Sequence, residues 1–349
     1  MRIAAAASAF PDHYYPQAAL TAALEQFWGP RLRSPALLRR MHEHAQVDGR
    51  YLALPIYVYP GLKTWGEANR AWIETAERIG GQALCRAATK AGISAQDIDA
   101  LFFVSVTGVA SPSIDAKLIN RLGLNPNLRR VPIFGLGCVA GAAGISQAAD
   151  YVRAYPDRIA ALVSVELCSL TLQHDDMSMA NLISSGLFGD GAAAVLVAGA
   201  ECALPGPAIV ATRSVFYPGT ECVMGWDISE RGFRIVLSPE VPQVIREHLR
   251  ADTDAFLAEF GLTRADIGCW VLHTGGPRVL EATQEALELD RTAVAASWDC
   301  LRRMGNLSSA SVLIVLEEIM AHRAPPAGTW SVLAAMGPGF CSELVLLRW

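Results

Sequence analysis

Two eight-residue segments of this chain, 169 residues apart, share one pattern. Gly92-Ile93-Ser94-Ala95-Gln96-Asp97-Ile98-Asp99 follows a long helical pattern, Arg70 to Ala91, and leads into an apolar run, Ala100 to Val106. Gly261-Leu262-Thr263-Arg264-Ala265-Asp266-Ile267-Gly268 follows a second helical pattern, Val241 to Phe260, and leads into the run Cys269 to Leu272. The shift is close to half of the 349 residues, which predicts two duplicated halves and excludes a short-period solenoid. We place the halves at residues 1–205 and 206–349.

The first half holds one segment of unusual composition, V-P-I-F-G-L-G-C-V-A-G-A-A-G from Val131 to Gly144. Val131 to Phe134 has strand character, Gly135 and Gly137 break it, and small residues continue as a helix through Ile145-Ser146-Gln147-Ala148-Ala149. Cys138 therefore stands at a strand-to-helix turn. Unpaired N–H groups at a helix start favour thiolate over thiol, so a lowered pKa and a nucleophilic role are expected there. A cysteine among small apolar residues is more often an inert buried one.

The repeat discriminates between these readings. Displacing Cys138 by the same interval falls within Gly305-Asn306-Leu307-Ser308-Ser309-Ala310-Ser311, again small residues opening a helix, Ser308 to Ala321. His273 lies just past the second-half strand whose first-half counterpart ends near Val104. Two related helix starts facing each other across a pseudo-twofold axis would bring Cys138, His273 and Asn306 toward one point. His273 could hold Cys138 as a thiolate, and with Asn306 it could donate hydrogen bonds to an enolate or oxyanion.

Composition narrows the class. With 52% hydrophobic and 18% charged residues the chain describes a well-buried globular, enzyme-like protein rather than a disordered or nucleic-acid-binding one, and a net charge of −5 gives no global field that attracts anions. Three of its 29 basic residues are Lys, an imbalance we attribute to codon usage. The eight cysteines show neither C-x-x-C nor Cys/His ligand spacing, which argues against a zinc site and a disulfide framework and fits a reducing cytoplasm. Arg2 to Phe10 is read as a first strand, and the longest apolar run, Gly191 to Ala200, is too short for a membrane span.

G-C-V-A-G-A-A-G (137–144), L-F-G-D-G-A-A-A (187–194), H-T-G-G-P (273–277), G-N-L-S-S-A-S-V-L (305–313) and M-G-P-G-F (336–340) together resemble the type III polyketide synthases, the chalcone synthase-like members of the thiolase-fold ketosynthases. The resemblance spans nearly the whole chain. It implies an α/β subunit of five layers, α-β-α-β-α, in a homodimer, with a buried cavity reached by a coenzyme A tunnel. It also implies a Cys138, His273 and Asn306 triad. An acyl-CoA starter would load on Cys138, and malonyl-CoA would extend it by decarboxylative condensation before cyclisation. No metal or bound cofactor is implied.

The same resemblance makes Phe188 a gatekeeper between tunnel and cavity and Phe233 a second one, although the segment after Phe233 aligns only with a gap. It lines the pocket with Cys168, Thr171, Met224, Gly225 and Ser308, and assigns Arg40, Arg50 and Arg278 to CoA. The segment Ala161 to Thr171 reads as strand, so Cys168 and Thr171 share a cavity only if the strand ends or bulges near Ser169-Leu170. The departure Ala335-Met336-Gly337-Pro338-Gly339 from the usual G-F-G-P-G loop predicts a different cavity floor.

A fatty acyl-CoA starter giving alkylpyrones or alkylresorcinols is the first expectation for the product, with tetrahydroxynaphthalene and acylphloroglucinol formation as alternatives. A ketoacyl synthase III that uses acyl-carrier protein shares the triad; H-T-G-G-P and the G-P-G loop argue against it. A catalytically dead thiolase-fold interaction protein would have lost a triad residue, and all three are present.

Overall fold

The computed structural model describes residues 1–349. In chain order its strands are β1 (Arg2–Ala9), β2 (His13–Pro16), β3 (Gly49–Leu52), β4 (Ala100–Val104), β5 (Arg129–Ile133), β6 (Ile159–Leu167), β7 (Asp190–Ala198), β8 (Ala208–Phe216), β9 (Met224–Ser229), β10 (Gly232–Leu237), β11 (Ile267–Leu272), β12 (Trp330–Gly337) and β13 (Cys341–Arg348). The helices are α1 (Gln17–Trp28), α2 (Pro35–His44), α3 (Trp65–Ala91), α4 (Ile114–Leu122), α5 (Ala140–Ala154), α6 (Met179–Leu187), α7 (Val241–Ala258), α8 (Pro277–Leu287), α9 (Ala295–Met304) and α10 (Ser309–His322).

The duplicated phrase folds the same way twice. Gly92 caps α3 and Gly261 closes the turn that follows α7, with φ of 69° and 67°, a left-handed conformation that glycine adopts without steric cost. Ser94 with Asp97, and Thr263 with Asp266, then form reciprocal capping boxes on a short 3-10 turn before β4 and β11.

Nine strands hydrogen-bond in the order β11-β12-β13-β8-β1-β7-β6-β4-β5. The two half-sheets meet only where Arg2 faces Ala208, so each can turn its own faces to separate helices. Strand alternation then builds the layers. Ala5, Ala7, Leu101, Phe103, Val163 and Leu196 project onto α3 from one face, while Phe102, Val104, Leu162 and Val195 project from the other onto α5 and α10. In the second half Val271, Leu333 and Val345 join that central cluster, and Trp270, Leu272, Val332 and Leu346 pack on α7 and α8. The result is five layers, α-β-α-β-α, with α5 and α10 in the middle.

The two central helices approach so closely that residue 141 has room for no side chain. A Cβ on Gly141 would lie 2.2 Å from the Ser309 carbonyl oxygen and 2.9 Å from a Val312 methyl. Gly141→Ala is therefore expected to destabilise the protein by about 1–3 kcal/mol or more, because a backbone atom must move to admit the methyl group. Thermal denaturation checks this; an unchanged midpoint would mean that the helices do not touch there.

Several boundaries differ from the sequence reading. The strand after Pro156 ends at Leu167, earlier than expected, and Cys168–Thr171 form a 3-10 turn. In such a turn residues three apart share a face, so Cys168 and Thr171 reach one cavity without a bulge. No helix is long and apolar enough to cross a membrane.

Candidate active site

Cys138 lies in a 3-10 turn, Gly137–Val139, immediately before α5. Gly137 is required there twice over: its φ is 54°, and a Cβ would lie 2.7 Å from the Pro338 ring of the G-P-G loop. Asn306 precedes α10 in the equivalent place, and its side-chain oxygen accepts the Ser308 N–H at 2.7 Å and the Ser311 hydroxyl at 3.3 Å. These bonds hold Ser308 at φ 47°, a conformation rare for a residue with a side chain. Asn306 Nδ2 thereby points at Cys138 Sγ, 4.0 Å away, and the thiol faces Ser308 Oγ at 3.7 Å. His273 extends β11, its N–H bonded to Ala334 O at 3.0 Å.

Cys138, His273 and Asn306 line the same cavity, of about 570 Å³. All three are buried, and both ring nitrogens of His273 lack a hydrogen-bond partner. The other end of the cavity carries the exposed side chains of His44, Met179 and Arg278. It is thus an open pocket with its reactive groups at the bottom.

The electrostatics correct one expectation. Burial pushes the Cys138 thiol up to about 11, although contacts with Ser308 and Asn306 pull it down. Burial likewise pushes His273 down to about 4. The helix start does not by itself produce a thiolate, because desolvation of a lone charge outweighs a partial dipole there.

Phe188 lines this cavity and a second one, of about 590 Å³. A short parallel bridge fixes it, with Asn306 N–H bonded to Leu187 O and Gly189 N–H to Asn306 O, both at 2.9 Å. Cys168 and Thr171 line only the second cavity, Met224 only the first. Ser308 lines neither and instead touches Cys138.

Three expected pocket or CoA residues lie elsewhere. Phe233 is buried among Trp65, Phe134 and Trp226, with ring centroids 6.0, 6.4 and 5.9 Å away, and borders neither cavity. Gly225 falls on the opposite face of β9 from Met224 and Trp226, since alternate residues of a strand face apart. Trp226 takes the wall position, together with its cross-strand partner Ile235. Arg50 is only 3% exposed and donates to Phe188 O at 2.6 Å and Ser185 O at 2.7 Å, so its guanidinium braces the Phe188 loop and cannot reach a phosphate in solvent.

Arg40 is exposed on α2 beside the wall formed by Met41, His44 and Ala45, and outside the wall itself. Arg278 is on the rim as expected. A third hollow, about 730 Å³, is a charged groove between α1, α2 and α9 that contains none of these residues. Sequence reasoning also passed over Tyr59, Ser169 and Asp190 around the second cavity. Asp190 had a signal, its place in L-F-G-D-G, whereas Tyr59 had none.

Residues 3–202 match the family model for the N-terminal domain of chalcone and stilbene synthases, and residues 208–349 match that for the C-terminal domain. The chain is 50% identical to the 1,3,6,8-tetrahydroxynaphthalene synthase of Streptomyces peucetius subsp. caesius, over 99% of this chain and 93% of that protein. It is 34% identical to a putative chalcone synthase of Bacillus subtilis strain 168, over 88% and 87% of the two chains. The crystal structure of 1,3,6,8-tetrahydroxynaphthalene synthase from Streptomyces coelicolor A3(2), a bacterial type III polyketide synthase, superposes with a TM-score of 0.95 at 30% identity, covering 100% of this chain and 99% of that one. A thiol, an imidazole and a carboxamide at the bottom of one pocket, carried by a duplicated five-layer fold, thus belong to a member of the chalcone and stilbene synthase family, an acyl-transferring type III polyketide synthase that works on coenzyme A thioesters.

Proposed function

We propose that the protein uses malonyl-CoA both to start and to extend a chain and closes it to 1,3,6,8-tetrahydroxynaphthalene. The lining of the second cavity carries this reading. Arg50, Ser169, Thr171, Asn181 and Ser185 give it hydrogen-bonding groups, and Phe27, Tyr57, Tyr59 and Trp226 limit its length. Most of these groups are bonded within the protein, but the Arg50 Nε–H is buried without a partner; a poly-β-ketone carbonyl can accept from it, whereas a fatty acyl chain would leave it unpaired. The 50% identical relative is named for the same product, which supports malonyl over the long-chain starter.

The geometry supports one set of roles. Burial opposes a lone charge on Cys138 or on His273, so the two ionise together: the thiol proton moves to the unpartnered imidazole and the pocket keeps no net charge. The thiolate attacks the starter thioester carbon, an acyl–sulfur bond forms at Cys138, and coenzyme A leaves with the proton. Malonyl-CoA then loses carbon dioxide, its thioester oxygen gaining negative charge against His273 N–H and Asn306 Nδ2–H. The enolate carbon attacks the acyl group and returns Cys138 as thiolate.

Arg278 on the rim is our candidate for the phosphates, and the exposed Arg40 on α2, outside the cavity wall, is a second. No resident metal or redox cofactor enters the reading, because thioester exchange and decarboxylation need only nucleophile and donors. Dimerisation fits the free edge at β5 and the exposed Phe134 that follows it. Eight free cysteines fit a reducing cytoplasm.

Purified protein given malonyl-CoA alone is expected to release the naphthalene, identified by mass, and to gain nothing from added long-chain acyl-CoA. Activity only with an acyl-CoA primer would reverse the order of the two starters.

A further inference from the structure

The second cavity is backed by a carboxylate for which loading and extension have no use. Asp190 opens β7, is 1% exposed and forms no ion pair. It accepts the Ala53 N–H at 2.6 Å, the Ser169 N–H at 2.8 Å and the Ser169 hydroxyl. Ser169 Oγ lies 2.5 Å from the Tyr59 hydroxyl, which also accepts the Leu54 N–H at 3.3 Å. Since the Ser169 proton goes to Asp190, the phenol must be the donor to Ser169. Tyr59, Ser169 and Asp190 therefore form one directed chain, with the first two on the cavity wall and the carboxylate behind them.

The charges suit proton transfer along this chain. Burial pushes Asp190 up to about 6, against the pull of its hydrogen bonds and of Arg50. Burial and Asp190 push Tyr59 well above 10, so the phenol passes a proton onward without keeping a negative charge. The groups facing Asp190 are Arg50 from β3, Tyr59 from the turn Ile56–Gly61 and Cys168 from the turn after β6. Arg50 also lines the cavity, and its Nε–H is buried without a partner.

We propose that Tyr59, Ser169 and Asp190 are a second acid–base site, separate from the Cys138 pocket, which takes a proton from a methylene between two carbonyls of the growing chain and so directs closure of a carbocyclic ring. The C–H bond breaks toward Tyr59 Oη, the phenol proton passes to Ser169 Oγ, and the serine proton passes to Asp190 Oδ2. The electron pair stays on the chain as an enolate, beside the Arg50 charge. Its carbon forms the new C–C bond to a carbonyl carbon of the same chain. The resulting alkoxide takes a proton back along the chain in reverse, and the adduct loses water to become aromatic.

The proposal rests on the malonyl-primed reading, and one experiment separates the two. Wild type, Ser169→Ala and Ser169→Thr are given malonyl-CoA from about pH 5 to about pH 9, and carbocyclic and lactone products are counted per coenzyme A released. In wild type the carbocycle-to-lactone ratio is expected to rise with pH through an apparent value near 6, as Asp190 loses its proton. Ser169→Ala cuts the relay, so its ratio is expected to fall by about tenfold or more and to lose that pH dependence, and Ser169→Thr to restore both.

An unaltered ratio and profile in Ser169→Ala would overturn the proposal. Should that variant not fold, Tyr59→Phe, which removes the other end of the relay, decides by the same criteria. A wild-type enzyme that forms no naphthalene from malonyl-CoA alone would overturn the starter reading only; the relay is then judged by the same ratio with the primer that the enzyme accepts.

Discussion

Cys138→Ala protein is expected to keep its fold and to lose polyketide formation by about 10³-fold or more, the scale on which removal of a nucleophile acts. The substitution leaves Cβ in place in a tight turn and removes only two long sulfur contacts, at 3.7 and 4.0 Å, so the thermal midpoint should hardly move. His273 and Asn306 remain, and neither needs sulfur to stabilise an enolate. The variant should therefore still convert malonyl-CoA slowly to acetyl-CoA, measured as carbon dioxide release. Mass spectrometry showing an acyl group on Cys168 would overturn the assignment. Cys168 is a poor substitute, since burial and the nearby Glu166 and Asp190 carboxylates push its thiol well above the usual range.

The second large effect is expected at Asn306, where the choice of substitution matters. Alanine would also remove the oxygen that holds Ser308 N–H and Ser311 Oγ, and so confuse loss of a donor with loss of the turn. Asn306→Asp keeps that acceptor and replaces only the NH₂ facing Cys138. Decarboxylation of malonyl-CoA is expected to fall by about 10²–10³-fold, because an oxygen cannot donate to the enolate and its charge opposes it. Single-turnover loading of Cys138, followed by mass, should fall less. Equal losses in the two steps would give Asn306 a part in loading as well, and unimpaired decarboxylation would remove it from the enolate site.

The meeting of Cys138, His273 and Asn306 in one pocket was legible because duplication supplies a ruler. One interval carries Ala140, the start of α5, onto Ser309, the start of α10, and the end of β4 onto His273. The same interval carries the β9–β10 hairpin onto residues 55–68, where the first half has a 3-10 turn and the start of α3, so the ruler did not indicate that Phe233 would turn into an aromatic cluster while Trp226 reached the cavity. Arg50 failed for a different reason. Beside other basic residues it reads as solvent-facing, and only the folded chain shows two carbonyls waiting for its guanidinium. The second cavity is assembled from α1, the turns after β3 and β6, α6 and the hairpin, segments whose meeting no local pattern encodes.

The bridge between Phe188 and Asn306 ties the residue that borders both cavities to the residue that would stabilise the enolate. Two peptide hydrogen bonds, with Arg50 pinned to the Phe188 carbonyl, leave the backbone at this junction little freedom. A smaller or larger side chain at position 188 can therefore resize the passage while the amide stays in register. An insertion or deletion between Leu187 and Gly189 would shift both at once. Across related enzymes, changes in chain length at this junction should be carried by side-chain volume alone, and the peptide path from 187 to 189 should behave as a fixed hinge pin around which product size varies.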